Sequence, residues 1–417
     1  MVLLVLLMFL VSCTTVKDYK IKEDKNPTAS NESFLENTSK FNNPISNKEL
    51  PECPSETATG CRKTKDRNHS DCNGSGTVKL TTPMRLEDIG IIIPMGAMVG
   101  GHVTPIDHMY FQPTVFQSQP DTYEVVADAG GIITDIGHES KGDNRYNKYR
   151  LVIKHSCDFY SIYNLLTSLS PKIIEKIGNL DYGSNARANI FIKEGEVIGR
   201  IGGQTLDLSV NYDKVNINFI VPEHYQGEDW KIHTVDPFDY FKEPIRSQLL
   251  AKNVRRVVPF GGKIDYDIDG KLVGNWFVEN SGGYAGSDHG RFGYWSTHLA
   301  IVYDTIDPSH IIFSIGNFDG EPKQFSVKGN SPDPKDIDLS SGLVKYGLVD
   351  TQYVLGNGDF WNRMSYADNV KAIGGDQVKG VVLLQLIDKR KLKVEVFHNK
   401  NLEDVSSFTD KAVIYER

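Results

Sequence analysis

Three groups of residues have the types and spacing to do chemistry. In "GGHVTPIDHMYF", His102, Asp107 and His108 offer two imidazoles and a carboxylate, all of them metal-ligating groups. In "KVNINFIV", residues 214–221, Val215, Ile217, Phe219 and Val221 alternate with Asn216, Asn218 and Ile220. That pattern predicts a strand with one apolar face and two carboxamides about 6.6–6.8 Å apart on the other. Asparagine is depleted in strands because it packs poorly there, so the pair calls for a reason. A carboxamide is neutral, has no nitrogen that titrates near pH 7, and ligates zinc poorly beside imidazole. The third group, Asp265, Asp267 and Asp269 followed by Gly270, copies the first half of an EF-hand calcium loop. Its twelfth position is Trp276 where a bidentate Glu belongs, and no helix pattern flanks it. The competing reading is an Asp-Gly hairpin turn between "KIDYDI" and "KLVGNWF".

The elements that must position these residues are strands. From Lys79 to about Tyr240 short β-patterned runs are broken by Gly, Pro and Asp. "YEVVADAGGIITDIG" reads as two strands about a Gly130-Gly131 turn, "YRLVIKHSCDFYSIYNLL" as another pair, and "FIKEGEVIGRIGG" as a third hairpin. Only "LSPKIIEKIGNL" has a helical pattern.

The order of these pieces, over roughly residues 90–222, resembles the lysostaphin-type (LytM-like) zinc metallopeptidase domain. That resemblance implies a duplicated-hybrid-motif β-sandwich. In that family an early His-x-x-x-Asp supplies two metal ligands. Three paired-strand motifs follow, the second ending in Tyr-x-His-Leu, and a His-x-His strand closes the series. Here "VNINFIVP" is read as that last strand, so Asn216 and Asn218 stand for its two histidines, and Asn164 in "YNLL" stands for another. His102 and Asp107 are one residue too far apart for the early motif, with His108 adjacent. The resemblance therefore implies a cleft of His102, Asp107, His108, Asn164, Asn216 and Asn218 that holds no catalytic residue and no metal. His155 corresponds to a family histidine outside the metal set and is read as structural; His138 is assigned to a turn. The rival reading is an active zinc hydrolase built on His102, Asp107 and His108, since a catalytic zinc takes three protein ligands and one open position.

The N-terminus differs in kind. "MVLLVLLMFLVSCTT" is too short to span a bilayer as a permanent helix. Its ending, Leu10-Val11-Ser12-Cys13, resembles a lipobox, which makes Cys13 the expected lipidation site and residues 1–13 the signal; no Lys or Arg precedes the run. Residues 14–76 are Asn-, Ser-, Lys- and Glu-rich, the composition of a disordered stalk, with glycosylation acceptor patterns at Asn31, Asn37, Asn68 and Asn73. Cys53, Cys61, Cys72 and Cys157 then remain, an even number that suits two disulfides in an exported chain. Cys53, Cys61 and Cys72 with His69 are the zinc alternative. Because only Cys157 lies beyond the stalk, full pairing would tie stalk to fold.

A net charge of −8 argues against nucleic acid or an anionic bilayer surface as partner. After a 77–245 domain, "EPIRSQLLAKNVRR" reads as a linker, and residues 246–417 carry strand-like runs that predict a second barrel or sandwich. Trp276, Trp295 and Trp361 are core residues or stacking platforms, and "SGGYAGSDHGRFGYW", with Asp288 and His289, is a Gly-rich loop. The expected protein is all-β, lipid-anchored in the cell envelope and without cofactor. Its expected partner is a wall or surface polymer or another envelope protein, bound through that cleft; an adhesive or carbohydrate-binding C-terminal unit is the third alternative.

Overall fold

The computed structural model describes residues 72–139, 146–286 and 293–417. Cys13, Cys53, Cys61, His69, Asp288, His289 and the acceptors Asn31, Asn37 and Asn68 lie outside the described residues. The fold is all-β, as the strand patterns predict.

Ten strands build the first unit: β1 (Ile89–Ile93), β2 (Met109–Pro113), β3 (Tyr123–Val126), β4 (Gly131–His138), β5 (Tyr149–Lys154), β6 (Phe159–Leu166), β7 (Ser168–Leu169), β8 (Asn185–Ile192), β9 (Val197–Ile201) and β10 (Leu206–Tyr212). Seven form one sheet in the order β1-β2-β10-β6-β5-β4-β8; β3-β9-β7 form a smaller one. Val125, Ile198 and Leu169 of the small sheet and Phe111, Ile133, Leu151 and Leu208 of the large one share a single apolar core. "LSPKIIEKIGNL" supplies helix α1 (Pro171–Ile177), started by Pro171 at its first position.

β5 and β6 pair as a hairpin, as their alternation predicts. The other two expected hairpins do not form, because β3 and β4, like β8 and β9, lie in different sheets. Gly131 shows why the glycine pair marks a crossing and not a turn. A Cβ there would sit 2.4 Å from the Lys154 carbonyl oxygen, so only glycine lets β4 enter the large sheet at that point.

Residues 213–273 contain no strand. They carry helix α2 (Ile245–Leu250) and short 3₁₀ turns, and they pack on both units. The "EPIRSQLLAKNVRR" stretch is accordingly not a free tether. Leu249 is fully buried, and buried Arg255 donates to the carbonyls of Val257, Pro259 and Thr305.

The second unit is a closed barrel of β11 (Gly274–Val278), β12 (His298–Tyr303), β13 (Ile311–Phe318), β14 (Glu321–Val327), β15 (Val344–Val354), β16 (Lys371–Asp388), β17 (Lys391–His398) and β18 (Val413–Glu416). Closure by β11 on β18 removes the open edges a flat sheet would expose. Trp276 lies in the barrel core with the Arg417 guanidinium 4.0 Å above its ring, and Trp295 and Trp361 are also buried. All three tryptophans are therefore packing residues rather than exposed platforms.

The structure contains a Cys72–Cys157 disulfide. The segment after Cys72 is docked: Gly76 N–H donates to Asp158 Oδ1, Ser156 Oγ donates to Gly76 O, and Cys157 N–H donates to Gly74 O.

Candidate functional site

The large sheet places three polar residues side by side. In the antiparallel register Asp207 of β10 faces Tyr110 of β2 on one flank and Asn164 of β6 on the other. Directly opposed residues on neighbouring strands point to the same face, so Tyr110, Asp207 and Asn164 form one row. Asp107 and His108 immediately precede β2 and meet the row at its edge. The barrel holds their loop in place, since Gly100 N–H donates to Gln324 Oε1 and Gln324 Nε2 returns to Gly100 O.

A cover lies over this face. Asn211, at the far end of β10, donates from Nδ2 to Trp230 O, and Val235 N–H donates to Val210 O. These bonds fix the 3₁₀ turn Asp229–His233 above the sheet and aim Lys231 inward. Lys231 Nζ lies 3.0 Å from Asp107 Oδ1 and 3.3 Å from Glu228 Oε2, while Trp230 Nε1 donates to Asp107 Oδ2 at 2.7 Å. His108 sits between carboxylates, with Nδ1 3.5 Å from Asp107 and Nε2 3.3 Å from Asp207. The barrel contributes the lid of the site: Lys231 Nζ is 4.7 Å from the centroid of Tyr284, which packs against Tyr294.

Nothing in this cluster is open to solvent. His102, Asp107, His108 and Lys231 are each 4% exposed and Asp207 2%. Burial alone would depress the His108 pKa, but Asp207 and Asp107 outweigh it and raise it to about 9, so the ring is an imidazolium at neutral pH. Burial would likewise raise Asp107, yet Lys231 and His108 hold its carboxyl far below the usual range. Asp107 and Glu228 overcome burial at Lys231 and keep its ammonium charged. His102 goes the other way: burial, with His108 and Lys231 nearby, pushes its pKa well below 6.5, and its Nδ1 has no hydrogen-bond partner. The site is a set of mutually paired internal charges with a neutral imidazole beside it.

The other anticipated members lie elsewhere. Residues 214–221 form no strand. Asn216 and Asn218 are exposed, and Asn218 donates from both its backbone N–H and Nδ2 to Asp265 Oδ2. The reason is local. Carboxylates of Asp265 and Asp267 and the Ile232 carbonyl take the N–H groups of Asn218, Ile220 and Ile217 that a neighbouring strand would otherwise need. β10 is the strand between β2 and β6, and its alternating polar residues on the row's side are Asp207, Ser209 and Asn211. Asn164 stands next to Asp207, apart from Asn216 and Asn218. Among the described residues no group of three or more His, Cys, Asp and Glu side chains is arranged to hold a metal.

Asp265, Asp267 and Asp269 do not converge either. Asp265 takes Asn218 and Lys263, Asp267 takes Ile220 and Asn275 with Arg417 at 3.7 Å, and Asp269 takes Arg390. A turn exists at Asp269-Gly270, but the residues before it are not a strand, so the expected hairpin is absent too. His155 is held by Gly130 O, Ser161 Oγ and Asp128, a structural setting. His138 ends β4 rather than occupying a turn, and stacks on Tyr149 and Tyr182.

Asp207, Glu228, Trp230 and Lys231 were not singled out by the sequence reading. "TLDLSVNY" carried the one available signal, a strict alternation right after the third paired motif. Nothing near Lys231 in the sequence points to its carboxylate partner 124 positions earlier.

Comparison with known proteins gives only distant structural likeness. No family model matches the chain, and no curated protein matches it. A structure described as the SpoIIQ–SpoIIIAH pore forming complex is similar at a TM-score of 0.26 and 11% identity, over 41% of this chain and 96% of that one. Lysostaphin is another. The antimicrobial peptidase lysostaphin from Staphylococcus simulans gives 0.23 and 9%, over 82% and 92%, and its NMR solution structure 0.23 and 12%, over 60% and 95%. Likeness at this level carries no argument about activity, which rests on the residues above.

His108 makes stability depend on pH in a defined direction. Its pKa is raised from 6.5 to about 9 on folding. The stabilisation is therefore complete below about pH 6.5, falls as pH rises, and is gone above about pH 9, a span worth roughly 3 kcal/mol. Asp107, whose pKa is depressed, acts at the opposite end and loses its contribution in acid. Denaturant unfolding between about pH 6 and about pH 10 is expected to show the alkaline loss in the parent and a flattened limb in His108→Gln. An unchanged slope in the variant would place the titration elsewhere.

Proposed function

We propose that this chain is a lipid-anchored envelope protein whose first unit is a non-catalytic relative of the lysostaphin-type peptidases. It binds a wall or surface polymer, or another envelope protein. The observation that carries the non-catalytic reading is the occupant of the sheet face. Lys231 Nζ lies 3.0 Å from Asp107 Oδ1, on the carboxylate a metal would have to use. Its ammonium repels a divalent ion. Asn164 offers a carboxamide where an imidazole would be needed. Because these groups are buried, recognition falls to the outer surface of the unit.

The anchor is proposed on Leu10-Val11-Ser12-Cys13 after its short apolar run, and export is supported by the Cys72–Cys157 bridge, which suits an oxidising compartment. Metabolic fatty-acid labelling should mark the parent and spare Cys13→Ser; equal labelling of both would move the anchor elsewhere.

Metal analysis of the purified protein with an assay of peptide hydrolysis decides the catalytic question. The expected result is no stoichiometric zinc and no hydrolysis that a chelator removes. A tightly held equivalent of zinc, lost together with hydrolysis on chelation, would establish the rival hydrolase of His102, Asp107 and His108.

A further inference from the structure

The barrel carries a second feature built for contact, unrelated to the buried ions. The β13–β14 turn and the end of β17 enclose a pocket of about 290 Å³, lined by Phe318, Asp319, Glu321, Lys323, His398 and Asn399. One wall is aromatic. The rings of Phe318 and His398 meet edge to face with centroids 4.3 Å apart, and Phe325 backs Phe318 at 4.6 Å. Gly380 preserves that seat, because a Cβ there would lie 3.3 Å from Phe318 Cζ and 2.8 Å from the Phe397 carbonyl oxygen. Asp319 and Asn399 on the rim both have left-handed backbones, with φ of 58° and 55°. His398 Nδ1 is buried and has no hydrogen-bond partner.

The chemistry of the lining selects the ligand. Asp319 and Glu321 only accept hydrogen bonds, Lys323 only donates, and Asn399 does both. An anion would face Asp319, and a cation would find Glu321 already paired with Lys323, whose Nζ lies 2.9 Å from Glu321 Oε2. A neutral polyhydroxyl compound can use both kinds of group at once, and the aromatic wall asks for an apolar face on the same molecule. A pyranose ring meets these demands, with equatorial hydroxyls at its edge and a patch of axial C–H groups on its face.

We propose that this pocket is a saccharide subsite holding one neutral pyranose ring, its C–H face on Phe318 and its hydroxyls on Asp319, Asn399 and the Glu321–Lys323 pair. The inference goes beyond the reading of the first unit and does not rest on it. The metal and hydrolysis measurements can fail while this one succeeds, and the reverse.

Saturation-transfer NMR on the intact folded chain, with glucose, galactose and N-acetylglucosamine as probes, tests it directly. At least one sugar should bind with a Kd on the order of 1–10 mM, the range open to a single ring in a shallow site. Phe318→Ala should weaken binding about tenfold or more by removing the aromatic wall. Asn399→Gly removes the amide while suiting the left-handed backbone, and Asp319→Asn keeps the shape of the rim. These two variants decide the matter should Phe318→Ala fold poorly, and each should lose binding with an unchanged melting profile. Absence of transfer to all three sugars at about 50 mM overturns the proposal, as does binding that survives both rim substitutions.

Discussion

Lys231→Met is expected to destabilise the folded protein by about 3–5 kcal/mol, the usual cost of removing one partner from a buried ion pair. Methionine keeps most of the volume, so the loss is one of charge. Asp107 is 4% exposed and would keep the Trp230 indole N–H and His108 but lose the ammonium 3.0 Å away. A buried carboxylate with less compensation must either unfold its surroundings or take up a proton. Asp107→Asn in the Lys231→Met background removes that stranded charge. It should recover a large part of the loss, and the coupling between the two substitutions should exceed about 1 kcal/mol in a double-mutant cycle. Chemical unfolding of the four proteins provides the measurement. A cost below about 1 kcal/mol for Lys231→Met would mean that the cluster is hydrated and its ions are not a fixed part of the core.

That cluster was only half legible in the sequence, and the reason is physical. Asp107 and His108 stood out because their types are rare beside an apolar run. Their partners Asp207 and Lys231 come from distant positions brought together by strand order, which no local pattern encodes. The strand carrying Asp207 was present as an alternation in "TLDLSVNY", but "KVNINFIV" alternates equally well and carries a more conspicuous polar pair. Alternation reports which side chains share a face; it does not report whether a neighbouring strand exists to take the N–H groups. At 214–221 aspartate side chains and a turn carbonyl take them instead.

The sheet itself shows the same division. The β5–β6 hairpin was legible because both strands and their turn are contiguous, so local pattern and pairing coincide. Gly130-Gly131 looked like a hairpin turn because glycine marks any abrupt change of direction. Here the change takes the chain from the small sheet to the large one, and Gly131 is needed for its approach to Lys154. The barrel's strand runs were readable from β-branched and aromatic runs separated by turns. Its closure depends on β18 reaching β11, where Phe277 pairs with Glu416, 139 positions on.

Breaking the Cys72–Cys157 bridge is the second large effect expected. The two cysteines are 85 positions apart, so the bridge removes much of the freedom of the unfolded chain. Loop-closure entropy for a span of that size gives about 4–5 kcal/mol, while measured disulfides commonly give about 2–4. In the folded state the bridge is reinforced rather than isolated. Gly74 O, Gly76 and Ser156 bond across the same junction, which holds the segment before β1 against the β5–β6 turn. Cys72→Ser, Cys157→Ser and the double substitution should therefore all lose the same stability, because each removes one and the same crosslink. Reductant should bring the parent to their level. Any further response to reductant in the double variant would belong to Cys53 and Cys61, so that variant separates the two sources. Equal unfolding midpoints for the oxidised parent and the double variant would mean that the hydrogen bonds alone hold the junction and that the crosslink adds nothing to the fold.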